Sequence, residues 1–223
     1  MIYLCGDTHG LIDVDKLSAD NFDYSTVSKD DYLIILGDFG GLFYNDIRDE
    51  ETLKFFNSLP LQVLWIDGNH ENFDVIESYP IEEWHGGKIH RITDNIIHLM
   101  RGQIFTIEDL TFFTFGGGAS IDKAMRREGI SWWPQEMPSQ EEMDEGLNNL
   151  ELANWKVDYV LTHSAPLKLL KEIVPYAYGD VLNRYLDTID DNLTYKHWYL
   201  GHYHKDKDYE NFSILYNIIQ TLE

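Results

Sequence analysis

Five short apolar segments, each ending abruptly in a cluster of Gly, Asp, Asn or His, constrain the fold of this chain more than any other feature. They cover residues 2–5, 32–36, 62–66, 158–162 and 197–200. Each has the length of a strand and is apolar on both faces, which indicates central strands that are buried on both sides. Segments with helical spacing, 49–58 and 71–78, follow the second and the third run. This alternation of strand and helix predicts an α/β fold.

The middle of the chain has a different pattern. Three short apolar runs follow one another closely between residues 96 and 115, and they predict an antiparallel meander and hence a second sheet. These runs are 96–99, 103–107 and 110–115. The glycine- and tryptophan-containing segment 116–137 breaks the pattern and is interpreted as a loop- or lid-like insertion. Helical spacing resumes at 139–154, where Ser139 and Glu142 have the spacing of a capping box.

Composition excludes several classes of protein. The length of 223 residues predicts a single domain over residues 1–223. One cysteine, Cys5, excludes an intramolecular disulfide scaffold and a thiolate-rich zinc module, so metal ligands would be nitrogen and oxygen. The net charge of −22 would repel a long phosphate backbone, which makes a long nucleic acid an unfavourable partner. No apolar run approaches the roughly 20 residues of a membrane helix, and the N-terminus lacks a basic prefix, so we expect no membrane association and a cytoplasmic location.

The clusters that end the five apolar runs carry the chemistry. They are Asp7-Thr8-His9, Gly37-Asp38, Gly68-Asn69-His70, Thr162-His163 and Gly201-His202-Tyr203-His204. Ligands of open α/β sheets bind at the carboxyl ends of the strands, so we expect these side chains to meet at one edge. Carboxylate, amide and imidazole groups suit divalent Mn, Fe or Zn. The clusters offer too many ligands for one ion, and two ions that share a carboxylate would match the two-metal design for displacement at phosphorus.

The order of these motifs from residue 7 to residue 204 resembles the calcineurin-like metallophosphoesterase superfamily. The resemblance implies a four-layer αββα sandwich of two mixed sheets flanked by helices. It implies that the first ion binds Asp7, His9, Asp38 and His204, and that Asp38 bridges to a second ion bound by Asn69, His163 and His202. It further implies that two divalent ions, Mn by preference and Fe or Zn as alternatives, activate a bridging hydroxide for in-line attack on phosphorus. His70 then contacts the phosphoryl group or protonates the leaving oxygen.

The sequence departs from the Ser/Thr protein phosphatase branch of this superfamily. Phe39 and the residues after it replace an expected Asp and Arg, and Phe73 stands where that branch has another Arg. The phosphate-clamping arginines of the branch are therefore missing, and the carboxylate that would orient His70 is left open between Asp67 and Glu71. Candidate substrate-binding residues are Arg126 and Arg127, which match phosphate oxygens, and Trp132, which can stack on an aromatic group.

These observations predict a phosphoesterase whose substrate is a small phosphodiester or phosphomonoester, with a slight preference for a diester because it carries less charge to clamp. Two alternatives stay open at this point. One is a Ser/Thr protein phosphatase-like enzyme, and the other is a non-catalytic scaffold on the metallophosphoesterase fold. A scaffold is disfavoured because all seven ligand positions and His70 carry side chains that can do the chemistry.

Overall fold

The computed structural model describes residues 1–222, and its strands form two mixed sheets. In chain order the strands are β1 (Ile2–Cys5), β2 (Tyr32–Leu36), β3 (Gln62–Ile66), β4 (Ile81–Trp84), β5 (Gly87–Arg91), β6 (Ile96–Leu99), β7 (Gln103–Ile107), β8 (Leu110–Phe115), β9 (Tyr159–Thr162), β10 (His197–Leu200), β11 (Lys207–Asp208), β12 (Phe212–Ile214) and β13 (Gln220–Leu222). The first sheet has the order β13-β1-β2-β3-β6-β5-β4, and the second has the order β11-β12-β10-β9-β8-β7. Parallel pairs form the centre of each sheet and antiparallel pairs form its edges.

Alternating side chains of each central strand divide the core into layers. In β2, Leu33 and Ile35 point to the outer, helical side of the first sheet, whereas Ile34 and Leu36 face the second sheet. In β9, Leu161 faces the first sheet and Val160 faces the helices on the other side. Every strand that is apolar on both faces is therefore sandwiched between a sheet and a helical layer.

Helices cover the outer face of both sheets. They are α1 (Ile47–Asn57), α2 (Phe73–Ile76), α3 (Gln140–Leu152), α4 (Leu167–Ile173) and α5 (Val181–Asn192). The first two pack on the first sheet, and the other three pack on the second sheet. Ser139 and Glu142 form the expected capping box at the start of α3. The four-layer αββα sandwich expected from the resemblance is confirmed. No helix within residues 1–222 is long and apolar enough to cross a membrane.

The predicted antiparallel meander is wrong in one respect. Strand β6 lies in the first sheet, parallel to β3, while β7 and β8 form an antiparallel hairpin in the second sheet. Strand β6 lies between two other strands of its sheet, and all four of its residues are buried. Strand β7 lies at the edge of its sheet, and its buried residues alternate with partly buried or exposed ones. The turn at Gly102, with a φ of 71°, carries the chain from one sheet to the other.

The carboxyl ends of five strands converge where the two sheets meet. Strands β1, β2 and β3 belong to the first sheet, and β9 and β10 belong to the second. The sequence analysis expected these ends at one edge, and the structure brings them together from two facing sheets. Segment 116–137 contains two 3₁₀ turns, Lys123–Met125 and Pro134–Glu136, and contacts the same end of the sandwich through Ser120 and Arg126.

Candidate metal centre

All seven candidate ligands lie together at this end of the sandwich. Asp7 and His9 follow β1, Asp38 follows β2, Asn69 follows β3, His163 follows β9, and His202 and His204 follow β10. Five of the seven, together with His70, form overlapping groups of three, and within each group the ligand atoms lie within 4.8 Å of one another. These groups are Asp7, His9 and His204; Asp7, Asp38 and His163; and His9, Asp38 and His70. The last group shows that His70 also lies within reach of an ion. The other two candidate ligands lie beside His163: Asn69 Oδ1 is 3.2 Å from His163 Nε2, and the His202 ring centroid is 4.8 Å from that of His163.

The carboxylates and imidazoles approach one another without forming hydrogen bonds of normal geometry. His204 Nε2 lies 3.0 Å from Asp7 Oδ2, and His9 Nε2 lies 3.2 Å from Asp38 Oδ2. Within residues 1–222, Asp7 Oδ2 is nevertheless buried without a hydrogen-bond donor. Buried polar atoms are almost always paired, so an orphaned carboxylate oxygen surrounded by imidazole nitrogens fits a shared cation.

Hydrogen bonds fix which nitrogen of two histidines is free to bind metal. His163 Nδ1 donates to the carbonyl oxygen of Leu36 at 2.7 Å, and His9 Nδ1 lies 2.8 Å from Asp13 Oδ2. Because these contacts use Nδ1–H, the lone pair of Nε2 is left facing Asp38 in both rings. Partners of this kind commonly orient metal-binding histidines. Sequence reasoning did not identify Asp13, although its position four residues after His9 is a local signal.

Two buried carboxylates make the cluster electrostatically unfavourable without a cation. Asp7 and Asp38 are 0% and 1% exposed, and no Lys or Arg within residues 1–222 pairs with either carboxylate. Burial opposes protonation of His9 and His163, but the nearby Asp38 outweighs it and raises the pKa of His9 to about 9 and that of His163 to about 10. Without a cation, a proton on Nε2 of each ring therefore supplies the countercharge, and a bound cation would displace that proton and take up the lone pair.

The backbone at the cluster is strained. His9, Asp38, His202 and His204 all have a positive φ, between 45° and 69°, which is uncommon outside glycine. Such strain collects at functional sites because the surrounding structure enforces it. Two glycines make room for the ligands: a side chain at Gly37 would overlap the His163 ring, and one at Gly68 would overlap the Asp38 carboxylate.

Asn69 is oriented by residues from the segment 116–137. Its Nδ2 donates to Ser120 Oγ at 3.2 Å, and that hydroxyl donates to Glu136 Oε2 at 2.6 Å. The backbone nitrogen of Ser120 also donates to Glu136 Oε1, at 3.1 Å. The amide oxygen of Asn69 consequently faces the cluster, 3.2 Å from His163 Nε2. No motif in the sequence links Ser120 or Glu136 to Asn69.

His70 has an arginine beside it rather than a carboxylate. Arg126 Nη1 lies 3.0 Å from His70 Nδ1, and Arg126 Nη2 lies 3.3 Å from His70 Nε2. Burial, together with the charge of Arg126, lowers the pKa of His70 below its ordinary value despite the opposing effect of Asp38. Asp122 holds the guanidinium in place, with Arg126 Nε 2.6 Å from Asp122 Oδ1.

Neither proposed carboxylate partner of His70 contacts its ring. Asp67 Oδ2 accepts from Arg101 Nε at 2.9 Å, and Asp67 Oδ1 lies 3.2 Å from His98 Nε2. Glu71 Oε1 accepts from the backbone nitrogen of Phe39 at 2.9 Å, and burial raises the pKa of the Glu71 carboxyl well above its usual value. The sequence left the carboxylate that orients His70 open between Asp67 and Glu71. The structure places Arg126, and neither of these carboxylates, beside the His70 ring.

The three candidate substrate-binding residues are placed differently. Arg126 lines a cavity of about 670 Å³ that also contains Asp38, Asn69 and His70. Arg127 is exposed and Trp132 is buried, with Lys123 Nζ 3.8 Å from the centre of its ring, and neither lines this cavity. The structure thus brings one of the three to the metal cluster and leaves two outside the cavity.

The fold and the site define an α/β sandwich protein with Asp and His clusters that can hold metal ions at the junction of its two sheets. Residues 1–206 match the family model of the calcineurin-like phosphoesterases, and the chain belongs to this family. The resemblance that the motif order suggested is confirmed.

Two solved structures are similar to this chain. A Staphylococcus aureus protein described as a 5′-nucleotidase has 15% sequence identity and a TM-score of 0.47, over 96% of this chain and 48% of that chain. The phosphopantetheinyl hydrolase of Mycobacterium tuberculosis has 15% identity and a TM-score of 0.46, over 96% of this chain and 87% of that chain. The chain thus spans about half the length of the first of these proteins. No curated protein matches the chain.

Proposed function

We propose that the protein is a metal-dependent hydrolase of small phosphate esters. The observation that carries the proposal is the cluster itself, in which two buried carboxylates lack a Lys or Arg partner within residues 1–222 and are surrounded by histidines. A non-catalytic scaffold has no need for buried carboxylates without a Lys or Arg partner, or for a strained backbone at the candidate ligands, since both lower stability. Membership of the phosphoesterase family supports the same class of reaction.

The orientation of Asp38 supports a site for two ions. Its Oδ2 lies 3.2 Å from His9 Nε2, whereas its Oδ1 lies 3.5 Å from His163 Nε2. One carboxylate thus faces two groups of ligands, with Asp7, His9 and His204 on one side and Asn69, His163 and His202 on the other. Bound divalent ions, with Mn as our expectation and Fe or Zn as alternatives, would supply positive charge and lower the pKa of a coordinated water.

His70 and Arg126 are proposed to receive the phosphoryl group. Both line the cavity beside Asp38. The Arg126 guanidinium has one N–H group that is not engaged by Asp122, His70 or Ser131, and this group can donate to a phosphate oxygen. The lowered pKa of His70 favours the neutral imidazole, which can still donate one hydrogen bond to a phosphoryl or leaving oxygen. Arg126 supplies one of the cationic contacts that the Ser/Thr phosphatase branch obtains elsewhere, so a monoester and a diester both stay within the proposal.

Hydrolysis of an aryl phosphate monoester and of the matching diester, after reconstitution with Mn, tests this function. We expect His70→Ala to lower kcat by about 100-fold or more, as loss of a positioned proton donor does, while the bound metal content stays that of the wild type. Asp38→Asn should abolish both activity and metal binding. Asp20→Asn, at an exposed position, is the matched control and should change neither.

Two results would contradict the proposal. Wild-type protein that binds Mn and hydrolyses neither ester would favour the scaffold alternative. Loss of metal in His70→Ala would make His70 a ligand, which its distance to His9 and Asp38 allows, and would remove it from the substrate-contacting role.

A further inference from the structure

We propose that the alcohol part of the substrate is an apolar alkyl or aryl group that binds beside the metal cluster. The proposed binding region, here called the apolar arm, consists of Ile121, Leu170, Val174, Ala177 and Tyr203. This inference rests on the proposed function, because it concerns the part of a phosphate ester that the cluster itself does not contact.

The apolar arm is continuous with the metal cluster. One cavity of about 670 Å³ is lined by Asp38, Asn69 and His70 at one end and by α4 and the loop that follows it at the other. This volume lies in the range of cavities that bind whole organic molecules. A phosphoryl group held between the metal cluster and Arg126 fills only the polar end, and the group attached to it extends into the arm.

Polar groups along the arm are already engaged with one another. Asn183 Nδ2 donates to Ser164 Oγ at 3.2 Å and to Ala165 O at 2.8 Å, and Asn183 Oδ1 accepts from the backbone nitrogen of Asp180 at 2.9 Å. The Asp180 carboxylate in turn accepts from the backbone nitrogen of Asn183 at 2.9 Å. These groups form the start of α5 and leave few donors for a polar ligand.

Charge also disfavours an anionic alcohol part. Arg126 is the one Lys or Arg among the cavity-lining residues that the structure describes, and it lies at the phosphoryl end. Asp122 and Asp180 line the same cavity, and the chain as a whole carries a charge of −22. A second phosphate or an acidic peptide would therefore meet repulsion without a compensating cation.

Exposed apolar side chains are frequent in the two chain segments that contribute Ile121 and Val174 to this cavity. Of the fifteen large apolar side chains that are exposed within residues 1–222, seven lie in the segments 121–130 and 174–181. They are Ile121, Met125, Ile130, Val174, Tyr176, Tyr178 and Val181. Exposed apolar groups that cluster beside a cavity indicate a ligand that covers them, whereas scattered ones are ordinary. Two of the seven, Ile121 and Val174, line the cavity itself.

The test is a chain-length series of linear alkyl phosphates and alkyl methyl phosphodiesters, from methyl to octyl, with the Mn-loaded protein. Leaving-group reactivity changes little along the series, so a trend reports binding of the alkyl chain. We expect kcat/KM to rise about twofold per methylene up to about six carbons, which is about half of the free energy of full burial, because Ile121 and Val174 leave part of the arm exposed to solvent. Calorimetric binding of the corresponding alkylphosphonates should show the same trend without any turnover.

Ile121→Asn and Val174→Asn should weaken the chain-length trend. These substitutions add no charge, and a methyl group does not reach the two side chains, so kcat/KM should change far less for the methyl esters than for the octyl esters. Both side chains are exposed, so the substitutions leave the core intact. Leu152→Asn, at an exposed leucine at the end of α3, is the control and should keep the wild-type trend. A flat series in the wild type, or a trend that is undiminished in both Ile121→Asn and Val174→Asn, overturns the inference. Absence of hydrolysis for every ester, methyl included, instead contradicts the proposed function, and the alkylphosphonate binding series then still decides on the apolar arm.

Discussion

Asn69 illustrates how a single ligand depends on residues that no local pattern connects to it. The hydroxyl of Ser120 accepts from Asn69 Nδ2 and is itself held by the Glu136 carboxylate, which is 2% exposed. An amide presents an oxygen on one side and a donor on the other, so it binds a cation only when its NH₂ group is held away from the ion. Ser120 and Glu136 supply that constraint.

Ser120→Ala should weaken binding of the ion that Asn69 contacts. Removal of the acceptor for Asn69 Nδ2 frees the amide to rotate, and partners of metal ligands typically contribute 10- to 100-fold in affinity, so we expect a loss of about tenfold. Calorimetric titration of Mn into metal-free protein measures this directly, and one of two binding phases should be affected. Ser78→Ala is the control. It removes an exposed hydroxyl that donates to the backbone carbonyl of Val75, and it should leave Mn affinity unchanged. Equal Mn affinity in Ser120→Ala and wild type would contradict the role.

The convergence of the candidate ligands was predictable because each follows an apolar run in a fixed order, as Asp38 follows 32–36 and His163 follows 158–162. The residues that orient these side chains were not predictable from the sequence. Ser120 is 51 positions from Asn69, and Leu36 bonds to His163 through a backbone carbonyl that no side-chain pattern encodes. Arg126 was a candidate on residue type alone, and only the structure places it against His70.

At the scale of elements, the eight strands that contain the predicted apolar runs, and the helices α1 and α3, were predicted with nearly correct bounds, whereas the β4–β5 hairpin, α4 and α5 were not predicted. The hairpin of β4 and β5 escaped prediction because only one of its faces is covered, although the turn at His85-Gly86, with two positive φ values, is a typical two-residue hairpin turn. Sequence also identified β6 as a strand but not its sheet, since an apolar run does not encode which neighbour it pairs with.

The cross-strand pair of His90 on β5 and His98 on β6 should make stability depend on pH. The two rings stack with centroids 5.4 Å apart, and burial, followed by the charge of His98, lowers the pKa of His90 to about 4. A histidine whose pKa is lowered by folding binds protons preferentially when the chain is unfolded. The contribution of His90 to the free energy of unfolding is therefore intact above pH 6.5 and is lost as the pH falls toward 4.

We expect His90→Gln to reduce this loss by on the order of 1 to 2 kcal/mol at pH 4 relative to pH 7, as measured by urea unfolding at both pH values. The comparison between variant and wild type removes the contribution of other titrating groups. His85→Gln, at an exposed histidine in the neighbouring turn, is the control and should keep the wild-type pH dependence. An unchanged pH dependence in His90→Gln would contradict this prediction, because it would show that His90 has the same pKa in the folded and in the unfolded chain.

For the molecule as a whole, the candidate ligands connect the two halves of the sandwich. Asp7, Asp38 and Asn69 come from the first sheet, whereas His163, His202 and His204 come from the second. The sequence predicted the layers and the set of candidate ligands that the structure brings together, but it could not show that the site lies between the sheets, because strand order across a sandwich depends on long-range pairing. A cation bound here contacts both sheets, and it can bind only when they are correctly packed.

Metal binding should therefore raise the stability of the entire domain rather than order one loop. Free metal at 100 times its dissociation constant adds about 2.7 kcal/mol per site, which for a chain of this length corresponds to a rise of roughly 5 to 10 °C in Tm. Thermal unfolding of chelator-treated protein with and without Mn, followed both by circular dichroism and by tryptophan fluorescence, should show one cooperative transition that moves as a unit. Asp38→Asn should lose the increment and Asp20→Asn should retain it. If the two signals moved by different amounts, or if Asp38→Asn kept the full increment, the ions would be stabilising a part of the chain other than the junction of the sheets.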